Sequence, residues 1–226
     1  MSEWLLIPYV LNTRLGGDEI EALVTYCVDE IGCTRSPPEI DEPQDFTYST
    51  GSPDGWPKRG ATLKEARSAL VREERGSIRM WYDELHFGLQ INLHSHNTPD
   101  LPSVSLSIDE WYTKPWRNDN PSLIYELVLK LYDFLKPIYV YGDTYLDDSS
   151  LSREGITNGQ LEDLFWVNGF GPKMTQEIGR EWLLNAPARR IDECDDGGAF
   201  LWVSPLPLTQ DVGSRLEELR TYFSLK

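Results

Sequence analysis

Two stretches constrain the fold more than any other part of the chain. In 80-MWYDELHFGLQINLH-94, Leu85, Phe87, Leu89, Ile91 and Leu93 alternate with polar residues. In 103-SVSLSIDEWYT-113, Val104, Leu106 and Ile108 alternate with serines. A period of two places all the apolar side chains on one side of a pleated strand. Strands of this kind build an antiparallel sheet with one buried face, and the turn at 95–102 joins them into a hairpin.

The segments around this hairpin supply helices to cover such a face. In 18-DEIEALVTYCVDEIG-32, Ile20, Leu23, Val24, Cys27, Val28 and Ile31 recur at three- and four-residue spacing, Asp18 and Glu19 suit the positive helix end, and Gly32 suits the C-terminal stop. A second strong helix, 122-SLIYELVLKLYDFLK-136, is stopped by Pro137, and shorter ones are expected over 62–74, 172–184 and 211–223. Strands are expected at 4–11, at 138–143, in 165-FWVNGF-170, and in a hairpin over 188–205 that turns through Asp195-Asp196-Gly197-Gly198. The stretch 33–77, rich in proline, glycine and aspartate, reads as a long surface loop interrupted by the 62–74 helix.

The sequence thus predicts an α+β protein, an antiparallel sheet with helices packed on one face. The order β-α-β-β-α occurs twice without letter-by-letter repetition. The 226 residues read as one α+β domain, with an alternative division into halves at 1–148 and 158–226.

A chain of this length buries a core without metals or disulfides. Its three cysteines, Cys27, Cys33 and Cys194, lack zinc-site spacing and read as buried or idle thiols of a reducing compartment. The N-terminus has no basic region ahead of an apolar run, and no segment reaches the ~20 apolar residues of a membrane span, so a cytoplasmic location without membrane contact is expected. The 37 acidic and 21 basic residues give a net charge of −16, a field that repels nucleic acid and favours basic partners. Arginine outnumbers lysine two to one, and a surface of this kind also suits a high-salt cytoplasm. Charge leaves that choice open.

Enzymatic signatures are absent. There is no nucleophile elbow, H-E-x-x-H or Walker motif, and acidic pairs arise by chance in so acidic a chain. Neither a catalytic residue nor a cofactor is assigned. His86, His94 and His96 fall in one strand and its turn, and the spacing His-x-His is used by some metal sites, which leaves a metal-dependent hydrolase as one reading. The stretch 161-LEDLFWVNGFGPKMTQEI-178 gives another, because it resembles the hairpin of helix-hairpin-helix DNA-binding modules. Leu161, Leu164 and Val167 would line a first helix, Gly169 and Gly171 would let backbone N–H groups meet a phosphate, and Lys173 would add charge. Thr175 departs from that pattern, and Glu162, Asp163, Glu177 and Glu181 oppose phosphate binding.

A longer segment resembles a different family. From Phe165 to Leu208 the chain runs through Trp166-x-Asn168, Phe170-Gly171-Pro172, Ile178-Gly179-Arg180, Leu183-Leu184, Ala186-Pro187, an acidic turn with Gly197-Gly198, Phe200-Leu201-Trp202-Val203 and Pro205-Leu206-Pro207-Leu208. This looks like the C-terminal part of immunity proteins of bacterial polymorphic and type VI toxin systems, in particular the immunity protein 52 group. The resemblance implies a non-enzymatic inhibitor that neutralises a cognate, basic protein toxin, often a nuclease, with charge-paired contacts. The candidate partner-binding residues are Trp111, Tyr112 and Trp116 in 109-DEWYTKPWRND-119, and Asp143, Asp147 and Asp148 in the acidic turn 143-DTYLDD-148. Trp166 and Trp202 are expected in the core.

Overall fold

The computed structural model describes residues 4–34, 46–51, 57–82, 87–94, 101–109, 121–144 and 150–225. Its strands are β1 (Trp4–Val10), β2 (Cys33–Thr34), β3 (Phe46–Ser49), β4 (Lys58–Ala61), β5 (Gly76–Tyr82), β6 (Phe87–Leu93), β7 (Ser103–Asp109), β8 (Tyr139–Gly142), β9 (Val167–Phe170), β10 (Arg190–Glu193) and β11 (Ala199–Trp202). Its helices are α1 (Gly17–Asp29), α2 (Leu63–Glu73), α3 (Ser122–Leu135), α4 (Arg153–Asn158), α5 (Pro172–Ile178), α6 (Arg180–Leu184) and α7 (Val212–Tyr222).

The strands form one 11-stranded sheet in the order β10-β11-β9-β8-β1-β7-β6-β5-β3-β4, with β2 also paired to β5. Every pairing is antiparallel. The class is α+β. The hairpin β6–β7 sets β7 beside β1, and β10–β11 sets β11 beside β9 in the same way.

The alternating apolar residues share one face, and the serines of β7 on the other, Ser103, Ser105 and Ser107, are buried as well. Tyr9, Ile7 and Leu5 of β1 stand opposite Val104, Leu106 and Ile108 of β7, and all six are buried. Helix α3 lies on this face, where the Tyr9 hydroxyl donates to the Val128 carbonyl at 3.2 Å. The α1 ring of Tyr26 stacks on Phe134 of α3 at 4.6 Å between centroids. Further along the sheet, Tyr125 of α3 meets Trp202 and Tyr132 meets Phe200. Rings of this size contribute about 1.5–3 kcal/mol each on burial. In β8, β9 and β11 every residue is buried, so both faces of the sheet are covered there.

Local chemistry places the helix ends. Thr62 and Glu65 form a reciprocal capping box on α2, with Thr62 N–H donating to Glu65 at 2.9 Å and Glu65 N–H to the Thr62 hydroxyl at 3.3 Å. Pro172 occupies the first turn of α5, where its missing N–H costs nothing.

Three sequence expectations change. The stretch 80–94 is two strands, not one: β5 and β6 pair antiparallel, with Tyr82 opposite Phe87. The stretch 33–77 carries β2, β3 and β4 as well as α2. The 172–184 helix breaks at Gly179, whose φ of 105° a side-chain-bearing residue rarely adopts. No helix among the described residues is long and apolar enough to cross a membrane.

Candidate partner-binding surface

Topology brings Asp109 and Asp143, the described residues beside the sequence-predicted binding segments, to one end of the sheet. β7 ends at Asp109, paired with Trp4, and β8 ends where Asp143 bridges Leu6. The two strands flank β1 and both run antiparallel to it, so their C-terminal ends lie at the same end of the sheet. The backbone of Asp143 exchanges hydrogen bonds with Leu6 at 3.1 and 3.2 Å. Its carboxylate accepts the N–H of the next residue, Thr144, at 2.7 Å. Asp143 is therefore half-buried and held. Trp111, Tyr112, Trp116, Asp147 and Asp148 lie outside the described residues.

The acidic segment returns at Ser150. Its hydroxyl donates to Asp163 at 3.0 Å, and Asp163 also receives Arg220 of α7 at 3.0 Å. Just beyond, Glu162 accepts both the N–H and the hydroxyl of Ser152 at 2.6 Å. These carboxylates tie the 160–166 stretch to the start of α4.

That stretch decides the helix-hairpin-helix expectation against itself. Residues 160–165 have no helical structure, and Leu161 and Leu164 stand on no first helix; Val167 begins β9. Gly169 lies inside β9 between β8 and β11, and the Gly171 N–H donates to the Ile138 carbonyl at 3.0 Å. The Lys173 ammonium donates to the Thr157 carbonyl at 2.8 Å. Gly169 is needed for packing: a Cβ there would stand 2.4 Å from the Phe200 ring. The glycines let aromatic rings and strands approach, and no phosphate cradle forms.

Asn168 supplies the polar centre of this core. Its carbonyl oxygen accepts from the Phe165 N–H at 3.0 Å and the Tyr139 hydroxyl at 3.2 Å, and its amide donates to the Phe165 carbonyl at 2.7 Å. Trp166 and Trp202 are fully buried, in accord with expectation, with the Trp166 indole donating to the Ser204 carbonyl at 3.1 Å.

The histidines do not assemble a site among the described residues. His86 and His96 lie outside them. His94 follows β6 with φ of 55°, a left-handed conformation, and its ring nitrogens find no hydrogen-bond partner. Burial first, and then the nearby Arg14 charge, push its pKa below the usual histidine range, against the opposing Leu15 backbone and Glu74 charge. No cluster of three or more metal-ligating side chains occurs among the described residues.

One surface group escaped the sequence reading. Trp182 of α6 is 43% exposed, the one exposed large hydrophobic side chain among the described residues. Its ring lies 5.1 Å from Phe223 and 5.7 Å from Tyr222, centroid to centroid. A cavity of about 420 Å³ opens beside it, lined also by Leu161, Glu177 and Ile178. The signal was available: adjacent Leu183 continues the apolar spacing of the helix and is fully buried, which turns Trp182 outward.

The fold has a counterpart among solved structures. A Pseudomonas aeruginosa T6SS protein, PA0821, superposes with a TM-score of 0.52 at 12% sequence identity, over 99% of this chain and 72% of that chain. At that identity the likeness establishes a shared fold. No protein-family model matches the sequence, and no curated protein matches it.

Proposed function

We propose that this chain is a non-enzymatic immunity protein that binds and neutralises a cognate protein toxin with a basic, nuclease-like active surface. The observation that carries the reading is a coincidence of two likenesses. The segment Phe165–Leu208, which resembles immunity proteins in sequence, contributes the buried strands β9 and β11 to a fold shared with a T6SS protein over nearly the whole chain. The net charge of −16 supports it, because an acidic inhibitor facing a basic cleft associates quickly and in a salt-dependent way.

On this reading the contact surface is the sheet end from which the 110–120 and 145–149 segments depart. Trp111, Tyr112 and Trp116 supply aromatic anchors, and Asp143, Asp147 and Asp148 supply charge. No reaction is assigned and no cofactor is needed, because the inhibitor works by occupying the toxin's cleft.

The test is co-expression with the product of the adjacent gene. Protection of the host from that product, together with a stable complex that weakens steeply with salt, is the expected result. A neighbour that is harmless, or whose toxicity the chain leaves unchanged, would sink the proposal.

A further inference from the structure

We propose that the Trp182 cavity is a receptor for a cationic side chain, lysine or arginine, of a protein partner. The identity of that partner as the toxin rests on the immunity reading; the chemistry of the cavity rests on the structure.

The backbone under the indole is held, and the ring packs against Tyr222 and Phe223. The Tyr222 hydroxyl donates to the Trp182 carbonyl at 3.0 Å, joining α6 to α7, and Leu183 beside it is fully buried. A rigid aromatic surface loses little conformational entropy when a partner lands on it. An exposed ring so fixed is preorganised for contact.

Electrostatics selects the occupant. Glu177 lines the cavity with Trp182 and Phe223, and Glu181 precedes the indole by one residue; both are exposed. Neither makes an ion pair among the described residues, whereas the arginines of α6 and α7 are already engaged: Arg180 with Glu193, Arg215 with Asp211, and Arg220 with Asp163 and Glu217. The face of an indole is the negative end of its quadrupole and attracts a cation within about 6 Å. An anionic side chain would be repelled by Glu177 and Glu181, and an apolar one would desolvate Glu177 without a partner. A guanidinium or ammonium satisfies the ring and the carboxylate together.

Two measurements test this. In the first, ¹⁵N-labelled protein is titrated with argininamide at low salt, and the Trp182 indole N–H signal is identified by its loss in Trp182→Phe. A saturable shift at Trp182, absent with glycinamide and several-fold weaker in Glu177→Gln, is expected; an unmoved signal overturns the proposal. In the second, the complex with the adjacent gene product is measured with Trp182→Ala and with the isosteric Glu177→Gln, after checking that each melts like the parent. Trp182→Ala is expected to weaken binding about tenfold or more, and Glu177→Gln to reduce the salt dependence. Unchanged affinity in both variants overturns the cavity's role while leaving the immunity reading intact. Failure of the parent chain to bind ends the immunity reading, and the argininamide titration still decides the cavity.

Discussion

Substituting Gly169 by alanine isolates the role of the glycine pair at the entry to α5. The added Cβ would lie 2.4 Å from Cζ and 2.5 Å from Cε1 of Phe200, where about 3.4 Å or more is ordinary, so the ring must retreat by about 1 Å. It has little room. Phe200 is fully buried, lies edge-on to Tyr132 at 5.1 Å and stacks on Trp202 at 5.7 Å. Overpacking of a tight core by one methyl costs about 1–3 kcal/mol. For a chain of this size that lowers the melting temperature by about 2–12 °C. The assay is a double-mutant cycle by urea unfolding with Gly169→Ala, Phe200→Leu and the pair. Because the smaller leucine gives the methyl room, the double variant should be more stable than the sum of the singles by about 1 kcal/mol or more. A neutral Gly169→Ala, or strictly additive singles, refutes the packing argument.

Three further outcomes follow from the described geometry. Asn168→Ala strands the Phe165 N–H, the Phe165 carbonyl and the Tyr139 hydroxyl in the core, and a loss of about 2–6 kcal/mol in urea unfolding is expected; a loss under 1 kcal/mol would contradict the network. His94 has a folded-state pKa below its unfolded value, so the unfolded chain binds the extra proton and stability falls as pH drops below about 6.5. His94→Asn, which tolerates the left-handed backbone, should flatten the pH 7-to-5 decline in unfolding free energy relative to the parent. Burial raises the Cys27 thiol well above its usual range and pushes Cys33 and Cys194 each up to about 12, so all three should react with an aromatic disulfide reagent far more slowly in the native state than in urea at pH 8.

The elements legible in the sequence are those whose signals are local. α1 and α3 announced themselves by apolar spacing and by their ends, and β7 by strict alternation. The boundary between β5 and β6 was hidden because no glycine, proline or asparagine stands between Tyr82 and Phe87, yet a parity change betrays it. Core positions are even in β5 (Ile78, Met80, Tyr82) and odd in β6 (Ile91, Leu93), a switch that one continuous strand cannot make. β3 and β4 escaped because four-residue strands between proline- and glycine-rich stretches have too few alternations to register, and the pairing of β3 with β5 and of β4 with β3 is set by tertiary contact. The break at Gly179 was a lone glycine in a helical pattern, which spacing alone tolerates.

The surface was less legible than the core. Tryptophans at 111, 116, 166, 182 and 202 look alike as letters, and only packing separates the exposed ring of Trp182 from the fully buried ones of Trp166 and Trp202. The glycine pair in Gly169-Phe-Gly171 reads as a phosphate loop when a helix precedes it and as a packing notch when a strand does. The choice was made by pairing to β8 and β11, which lie about 30 residues away on either side.

The position of β1 has a consequence for the order of assembly. The strand joins β7 on one side and β8 on the other, so the earliest-synthesised strand of the sheet is also the seam between its two portions. While the ribosome adds the 132 residues from Leu11 to Gly142, on the order of ten seconds at usual elongation rates, that strand waits with at least one edge unpaired. Closure of the seam joins residues more than a hundred positions apart, as in Tyr9 with Val140, so it comes late. A nascent chain halted before β8 would present Trp4–Val10 as an adhesive edge. Restored as a separate peptide, the same seven residues are the natural piece with which to reconstitute a chain that lacks them.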